Sequence, residues 1–328
     1  MQAIASLFDH KPTGEVAIEL DPRTATAENI KLYKELGFNR VSLGVQDFDT
    51  QVQLAINRVQ PFELVKNVVQ QLHEVGLNHI NFDLIYGLPK QTLASFTETL
   101  KKTIELNPTR LALFSYAHVP QVKKHMLLID AETIPSDTEK LEIYATAKDM
   151  LEAAGYITIG IDHFAKPDDI LAQKMQNRTM KRNFQGYVTD DTDAIIGVGV
   201  SAISQCREGY AQATTNSLDY RTWVEEGRLP IVRGYALKDN DRIRKEVIDQ
   251  LMCFLFVDLE KIREKFSLAN NYFQSEINKL KESDYKDIAT VDGEKISVSK
   301  KYRMAARVVA ALFDEYKAGM AGRYSKVA

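Results

Sequence analysis

Cysteine is almost missing from this chain of 328 residues, which contains only Cys206 and Cys253. Two cysteines so far apart in sequence do not suggest a disulfide framework, and they are too few for a metal site held by thiolates of one chain. We therefore predict no metal ligand in the chain and a protein that works in a reducing compartment.

Long apolar runs and a charge excess are absent as well. No stretch approaches the roughly 18 uninterrupted apolar residues of a membrane span, and the first ten residues lack the basic and apolar regions of a secretory signal. We expect a cytoplasmic protein. The 42 basic and 45 acidic side chains are interspersed and give a net charge of −3, which argues against nucleic acid as a partner.

The first half of the chain alternates strand-like and helix-like segments. The strand-like segments are residues 15–20, 40–46, 79–85, 110–116 and 156–161. Such alternation is typical of βαβ units and a parallel sheet. Gly37 and Gly76 end successive units of a length that suits a parallel (β/α) barrel. A doubly wound open sheet is the alternative, but the sequence has no glycine-rich phosphate turn of that fold.

Three polar residues share one phase of the strand pattern. Side chains alternate between the two faces of a strand, so Glu19, Gln46 and Asp83 lie opposite the apolar sets of their strands. In a barrel they would meet near the carboxyl-end mouth, where barrel enzymes bind their ligands. The pattern predicts a site for a polar ligand; the alternative is three hydrogen-bonded residues at strand ends.

The character of the sequence changes near residue 240. Helix-like segments at 242–256, 259–266 and 270–281 precede a hairpin with Asp292-Gly293 at its turn, and a last helix is predicted over 302–316. This order resembles a winged-helix module, so we divide the chain into domains 1–235 and 236–328. The module is poorly basic, which favours a lid or packing domain over the alternative of a DNA-binding regulator.

Several short strings resemble the oxygen-independent coproporphyrinogen III oxidases, which belong to the radical S-adenosylmethionine (SAM) proteins. Some strings are shared with relatives such as heme chaperones, but Asn183-Phe-Gln-Gly-Tyr187 is typical of the oxidases. The resemblance covers essentially the whole chain. The strings lie at residues 18–22, 42–48, 57–58, 83–89, 116–120, 162–169, 183–187 and 197–204.

The resemblance implies a set of cofactor-binding residues. Contacts with a first SAM would come from Glu19, Gln46, Arg58, Asp83 and Ala117. Gln185 and Ile203 would contact a second SAM. The implied reaction converts two propionates of coproporphyrinogen III to vinyl groups, which gives protoporphyrinogen IX. The implied partners are this substrate and an electron donor, and we expect a monomer. A heme-trafficking protein of the same superfamily is the alternative function.

One feature of that family is missing from the sequence. The family holds a [4Fe-4S] cluster with a Cys-x-x-x-Cys-x-x-Cys loop, and no such loop is present here. We expect residue 1 to lie just before the family's third strand, so the expected fold is an incomplete radical SAM barrel with an exposed edge at residues 15–20. We also expect the chain by itself to be unable to generate the radical.

Two histidines and a basic run are further candidates. His118 and His163 lie in family-like strings and could serve the carboxylates of the substrate, as could the basic run from Lys174 to Arg182. The alternatives are hydrogen-bonded histidines at strand ends and a solvated surface segment.

Overall fold

The structure is a computed structural model that describes residues 1–8 and 14–317. The first part contains α1 (Gln2–Leu7), β1 (Ala17–Leu20), α2 (Ala27–Glu35), β2 (Arg40–Gln46), α3 (Thr50–Ala55), α4 (Phe62–Glu74), β3 (His79–Tyr86), α5 (Leu93–Leu106), β4 (Arg110–Ser115), α6 (Asp137–Ala153), β5 (Ile157–Ile159) and β6 (His163–Ala165).

Two further parts follow in sequence. The middle part contains α7 (Ile170–Gln176), β7 (Lys181–Asn183), β8 (Gly186–Val188), β9 (Ile203–Cys206), β10 (Gly209–Ala213), α8 (Ser217–Glu225) and β11 (Ile231–Ala236). The last part contains α9 (Asp239–Phe254), β12 (Phe256–Asp258), α10 (Leu259–Phe266), α11 (Gln274–Leu280), β13 (Ala289–Asp292), β14 (Lys295–Val298) and α12 (Ala306–Ala310). Short 3-10 turns lie at Lys124–Leu128, Ala131–Thr133, Ser283–Tyr285, Lys300–Ala305 and Ala311–Phe313.

The main sheet has six strands in the order β1-β2-β3-β4-β6-β5. Strands β1 to β4 are parallel, which confirms the predicted α/β fold with a parallel sheet. The strand predicted at 156–161 forms β5, but β6 lies between it and β4, and both of these pairings are antiparallel. The connection from Gly160 to Asp162 is too short for the crossover that a parallel pair requires.

The alternation of side chains follows the predicted phase. On β2 the side chains of Val41, Leu43 and Val45 are fully buried, whereas those between them are half-buried. The same alternation holds along β3. The apolar face packs on helices such as α4, whose buried residues recur at helical spacing. The other face of the strands carries the polar residues.

The amino ends of the strands are held by a buried ion network. Arg40 opens β2 and Arg110 opens β4, and both bind the carboxylate of Asp169, with nitrogen–oxygen distances of 3.1 and 2.8 Å. Both arginines also pair with Glu15. These contacts connect strands that are distant in sequence, and they lie at the sheet end opposite the predicted site.

The last part of the chain has the predicted winged-helix-like order. Three helices precede the β13–β14 hairpin, in which Asp292 pairs with Lys295 and Gly293 takes a positive φ of 60°. The predicted helix over 302–316 is shorter: it is a 3-10 turn, α12 and a second 3-10 turn, with a non-helical Tyr302. One hydrophobic core runs from the main sheet through α6 to α9, β12 and α12. The division into domains 1–235 and 236–328 stays a prediction.

Candidate SAM-binding site

A polar cluster lies on the half-buried face of β2 and β3. The Ser42 hydroxyl donates to Asp83 Oδ2 at 3.1 Å, and Asn81 Nδ2 donates to Asp83 Oδ1 at 2.9 Å. The same Asn81 amide donates to Ser42 Oγ at 2.7 Å. Burial raises the pKa of the Asp83 carboxyl above its usual value, although these hydrogen bonds and the nearby His163 act to lower it. A ligand that donates hydrogen bonds would stabilise this carboxylate.

Two longer side chains converge over Gly44. A Cβ atom at this position would lie 2.8 Å from Gln46 Nε2 and 3.0 Å from Arg58 Nη2. Arg58 donates to the Gly44 carbonyl at 3.0 Å and pairs with Asp21 at 3.2 Å. Because Gly44 is the register partner of Asp83, Gln46, Arg58 and Asp83 form one cluster at the carboxyl ends of the strands.

The local chain geometry places Gln46 in this cluster. Gln46 has a φ of 66°, and the β2–β3 register shifts between Gly44 and Gln46. A shift of this kind is a bulge that re-aims a side chain. Alternation alone predicts the face of Gln46 but gives no sign of the bulge.

Glu19 and Ala117 lie on the flanks of the cluster. Glu19 on β1 is the register partner of Ser42, so it shares the polar face, and it is exposed. Ala117 is half-buried in the loop after β4, where the Tyr116 amide donates to the Tyr86 carbonyl at 2.8 Å. The predicted first-SAM residues thus lie at the carboxyl ends of β1 to β4, with Arg58 supplied by the segment after α3.

The predicted second-SAM residues lie on a different wall. Gln185 is exposed in the turn between β7 and β8, where its backbone N–H donates to Asn183 Oδ1 at 2.8 Å. Ile203 is half-buried at the start of β9. The β7–β8 hairpin approaches the main sheet at His163, whose ring lies 5.0 Å from that of Tyr187. His163 therefore stands between the two predicted sets.

The orientation of His163 depends on residues that sequence reasoning did not assign to the site. Its Nδ1 atom lies 2.7 Å from Asp162 Oδ1, and Arg307 donates to Asp162 Oδ2 at 2.8 Å. Burial acts to raise the pKa of Asp162, but His163 and Arg307 outweigh it and the pKa is lowered. Asp162 is recognisable in sequence as the neighbour of His163, whereas Arg307, on α12, gives no local signal.

The described residues do not fit an iron–sulfur cluster. Cys206 is exposed on β9, and Cys253 is buried on α9, where burial raises the pKa of its thiol to about 12. Such a thiol resists the ionisation that metal binding requires. Over residues 1–8 and 14–317, no group of three or more His, Cys, Asp or Glu is arranged to hold a metal ion. Over the same ranges no helix has the length and apolar character to cross a membrane.

The chain is similar in sequence to several known proteins. Residues 2–103 match the family described as the Radical SAM superfamily. The chain is 40% identical over 316 residues to an oxygen-independent coproporphyrinogen III oxidase of Bradyrhizobium diazoefficiens, covering 96% of this chain and 70% of that protein. It is 43% identical over 313 residues to the oxidase of that name from Helicobacter pylori, covering 95% and 68% of the two chains.

A solved structure extends this similarity to the fold. The coproporphyrinogen III oxidase of Escherichia coli, described as a radical SAM enzyme, superposes with a TM-score of 0.91 at 38% identity, covering 96% of this chain and 73% of that one. The fold is thus that of the radical SAM class. Within it, the chain belongs to the oxygen-independent coproporphyrinogen III oxidase family, and it spans roughly 70% of the length of these relatives.

Proposed function

We propose that this chain binds SAM and coproporphyrinogen III for the oxygen-independent conversion of two propionates to vinyl groups, which yields protoporphyrinogen IX. Family membership supports this reaction. The observation that carries the proposal is the convergence of Gln46, Arg58 and Asp83 at the carboxyl ends of parallel strands. An electron donor, a monomeric state and a cytoplasmic location belong to the same proposal.

The first SAM would be held by groups of complementary charge. Asp83 and Glu19 accept hydrogen bonds from ribose hydroxyls or the α-ammonium group, and Arg58 pairs with the methionyl carboxylate in place of Asp21. The Gln46 amide and the Ala117 backbone supply neutral contacts. Gln185 and Ile203 would contact the second SAM. When bound and reduced, SAM would supply the radical that removes a hydrogen atom from the propionate.

The protein's own residues bind, orient and shield the reactants. The half-buried cluster around Asp83 excludes part of the solvent, which strengthens hydrogen bonds to a bound ligand. The cofactor of the superfamily that reduces SAM is a [4Fe-4S] cluster, and these 328 residues include no set of ligands for it.

Titration calorimetry of the chain with SAM tests the proposal. We expect Asp83→Ala to lower the affinity for SAM by at least about tenfold, because a hydrogen bond to a charged group contributes roughly 1.5–3 kcal/mol. Asp149→Ala is the matched control, since Asp149 is exposed on α6 away from the cluster. Unchanged SAM affinity in Asp83→Ala, with an intact fold by circular dichroism, would show that the assignment of Asp83 is wrong.

A further inference from the structure

A cavity lies between the β7–β8 hairpin and the β9–β11 sheet. Its volume is about 410 Å³, which is within the range of small-molecule sites. Its floor is one face of the three-stranded sheet. That face consists of Ile203, Gln205, Tyr210, Gln212, Arg233 and Tyr235.

The strand register explains why these six side chains form one surface. Gln212 pairs with Ile203 on one side and with Arg233 on the other, and Tyr210 pairs with Gln205 and Tyr235 in the same way. Register partners on neighbouring strands, and residues two apart on one strand, share a face. The predicted second-SAM residue Ile203 therefore stands in the same cross-strand row as Arg233.

The walls opposite the floor are basic, polar and aromatic. The hairpin contributes Arg182, Asn183 and Phe184, and α9 contributes Lys245 and Asp249. Lys245 and Asp249 form an ion pair with each other, so their charges are mutually compensated. Three aromatic rings line the cavity, those of Phe184, Tyr210 and Tyr235.

Two arginines of this cavity form no direct ion pair within the described residues. Within the described ranges, neither Arg182 nor Arg233 forms an ion pair or a side-chain hydrogen bond. Arg182 lies 6.0 Å from the ring centre of Tyr187, and its charge acts at longer range on the carboxylates of Asp162 and Asp249. Arginine binds carboxylates with two parallel hydrogen bonds. Two such groups facing one aromatic cavity suit a ligand that has flat aromatic rings and carries more than one carboxylate.

We propose that this cavity binds part of the tetrapyrrole substrate, with Arg182 and Arg233 contacting the propionate carboxylates of two of its pyrrole rings. The inference rests on the proposed function and deepens it, because it assigns the substrate to a surface that includes the predicted second-SAM residue Ile203. SAM has a single carboxylate, whereas coproporphyrinogen III has four. The methionyl carboxylate of SAM is the competing source of the same chemistry.

Fluorescence titration of the chain with coproporphyrin III, the oxidised form of the substrate, tests this inference alongside calorimetry with SAM. We expect Arg233→Gln and Arg182→Gln each to weaken porphyrin binding roughly tenfold, as for the loss of one charge-assisted contact. SAM affinity should be unchanged. Arg221→Gln is the matched control, because Arg221 is exposed on α8 and pairs with Glu225. Thermal melting should show no loss in Arg233→Gln, since its guanidinium has no partner in the described residues.

The other possible outcomes contradict either the substrate assignment or the proposed function. If the variants weaken SAM binding and leave porphyrin binding intact, the carboxylate belongs to SAM and the substrate assignment is wrong. If the wild-type chain binds porphyrin and both variants bind it equally well, the cavity is not the site, while the proposed function stands. If the wild-type chain binds SAM but no porphyrin, the inference fails together with the substrate part of the proposed function, while the SAM part stands. If it binds neither ligand, the proposed function itself fails.

Discussion

The two ends of the parallel sheet treat their charged groups differently. At the amino ends of β2 and β4, Arg40 and Arg110 pair with Asp169 in a buried network that is closed to solvent. At the carboxyl ends of β1 to β3, the charged groups are only partly paired. The side chains of Arg40, Arg110 and Asp169 are less than a tenth exposed. Around Asp83, by contrast, the polar side chains are half-buried and Glu19 is exposed. The same sheet therefore has one end whose charges are neutralised internally and one end with polar groups available to a ligand.

The pKa shifts of two aspartates express this difference. At Asp169 burial acts to raise the pKa, but Arg110, the Leu171 amide and Arg40 outweigh it, so the pKa is lowered. At Asp83 burial prevails and the pKa is raised. A lowered pKa in the folded state means that the carboxylate stabilises the fold, and a raised pKa means that it costs stability. We infer that Asp169 serves the fold and that Asp83 is maintained for binding.

The largest expected effect comes from breaking the buried ion network at the amino ends of the strands. Asp169→Ala leaves two buried guanidinium groups without this partner and removes the N-cap of α7. We expect a loss of about 3–5 kcal/mol in the free energy of unfolding, measured by chemical denaturation. Lys101→Ala, which removes an exposed pair with Glu98, should change it by less than about 1 kcal/mol. Similar losses in the two variants would contradict a structural role for the buried network.

The two ends also differ in how far sequence alone predicts them. Period-two alternation correctly places Asp83 and Gln46 on one face, because that pattern depends only on local backbone geometry. It does not predict the bulge at Gln46, the antiparallel β6, or the cavity floor on β9 to β11, since these follow from turns and register. The contact of Arg307 with Asp162 spans 145 positions. Arg303 likewise donates to the Gly160 carbonyl, and neither partner indicates the other in sequence.

An intermediate effect is expected from a single methyl group at the open end. In Gly44→Ala, the new Cβ atom would displace the ends of the Gln46 and Arg58 side chains, which lie 2.8 and 3.0 Å from its position. We expect SAM affinity to fall about tenfold, because small displacements of binding groups are costly, and the free energy of unfolding to change little. Titration calorimetry and chemical denaturation measure the two quantities. A large loss of stability with unchanged SAM affinity would show that the carboxyl ends of the strands serve the fold and not SAM binding.

The smallest expected effect is a gain, not a loss, in the free energy of unfolding, and its size depends on pH. Asp83→Asn removes a carboxylate that costs stability at neutral pH, so we expect a gain of about 0.5–1 kcal/mol there. Because the folded pKa of Asp83 is raised, the wild-type protein recovers this cost as pH falls through that pKa towards the ordinary value near 4. The gain should therefore shrink with falling pH, whereas SAM affinity should be reduced at neutral pH. Denaturation curves at several pH values measure the trend, and a gain that grows on acidification would show that Asp83 stabilises the fold as Asp169 does.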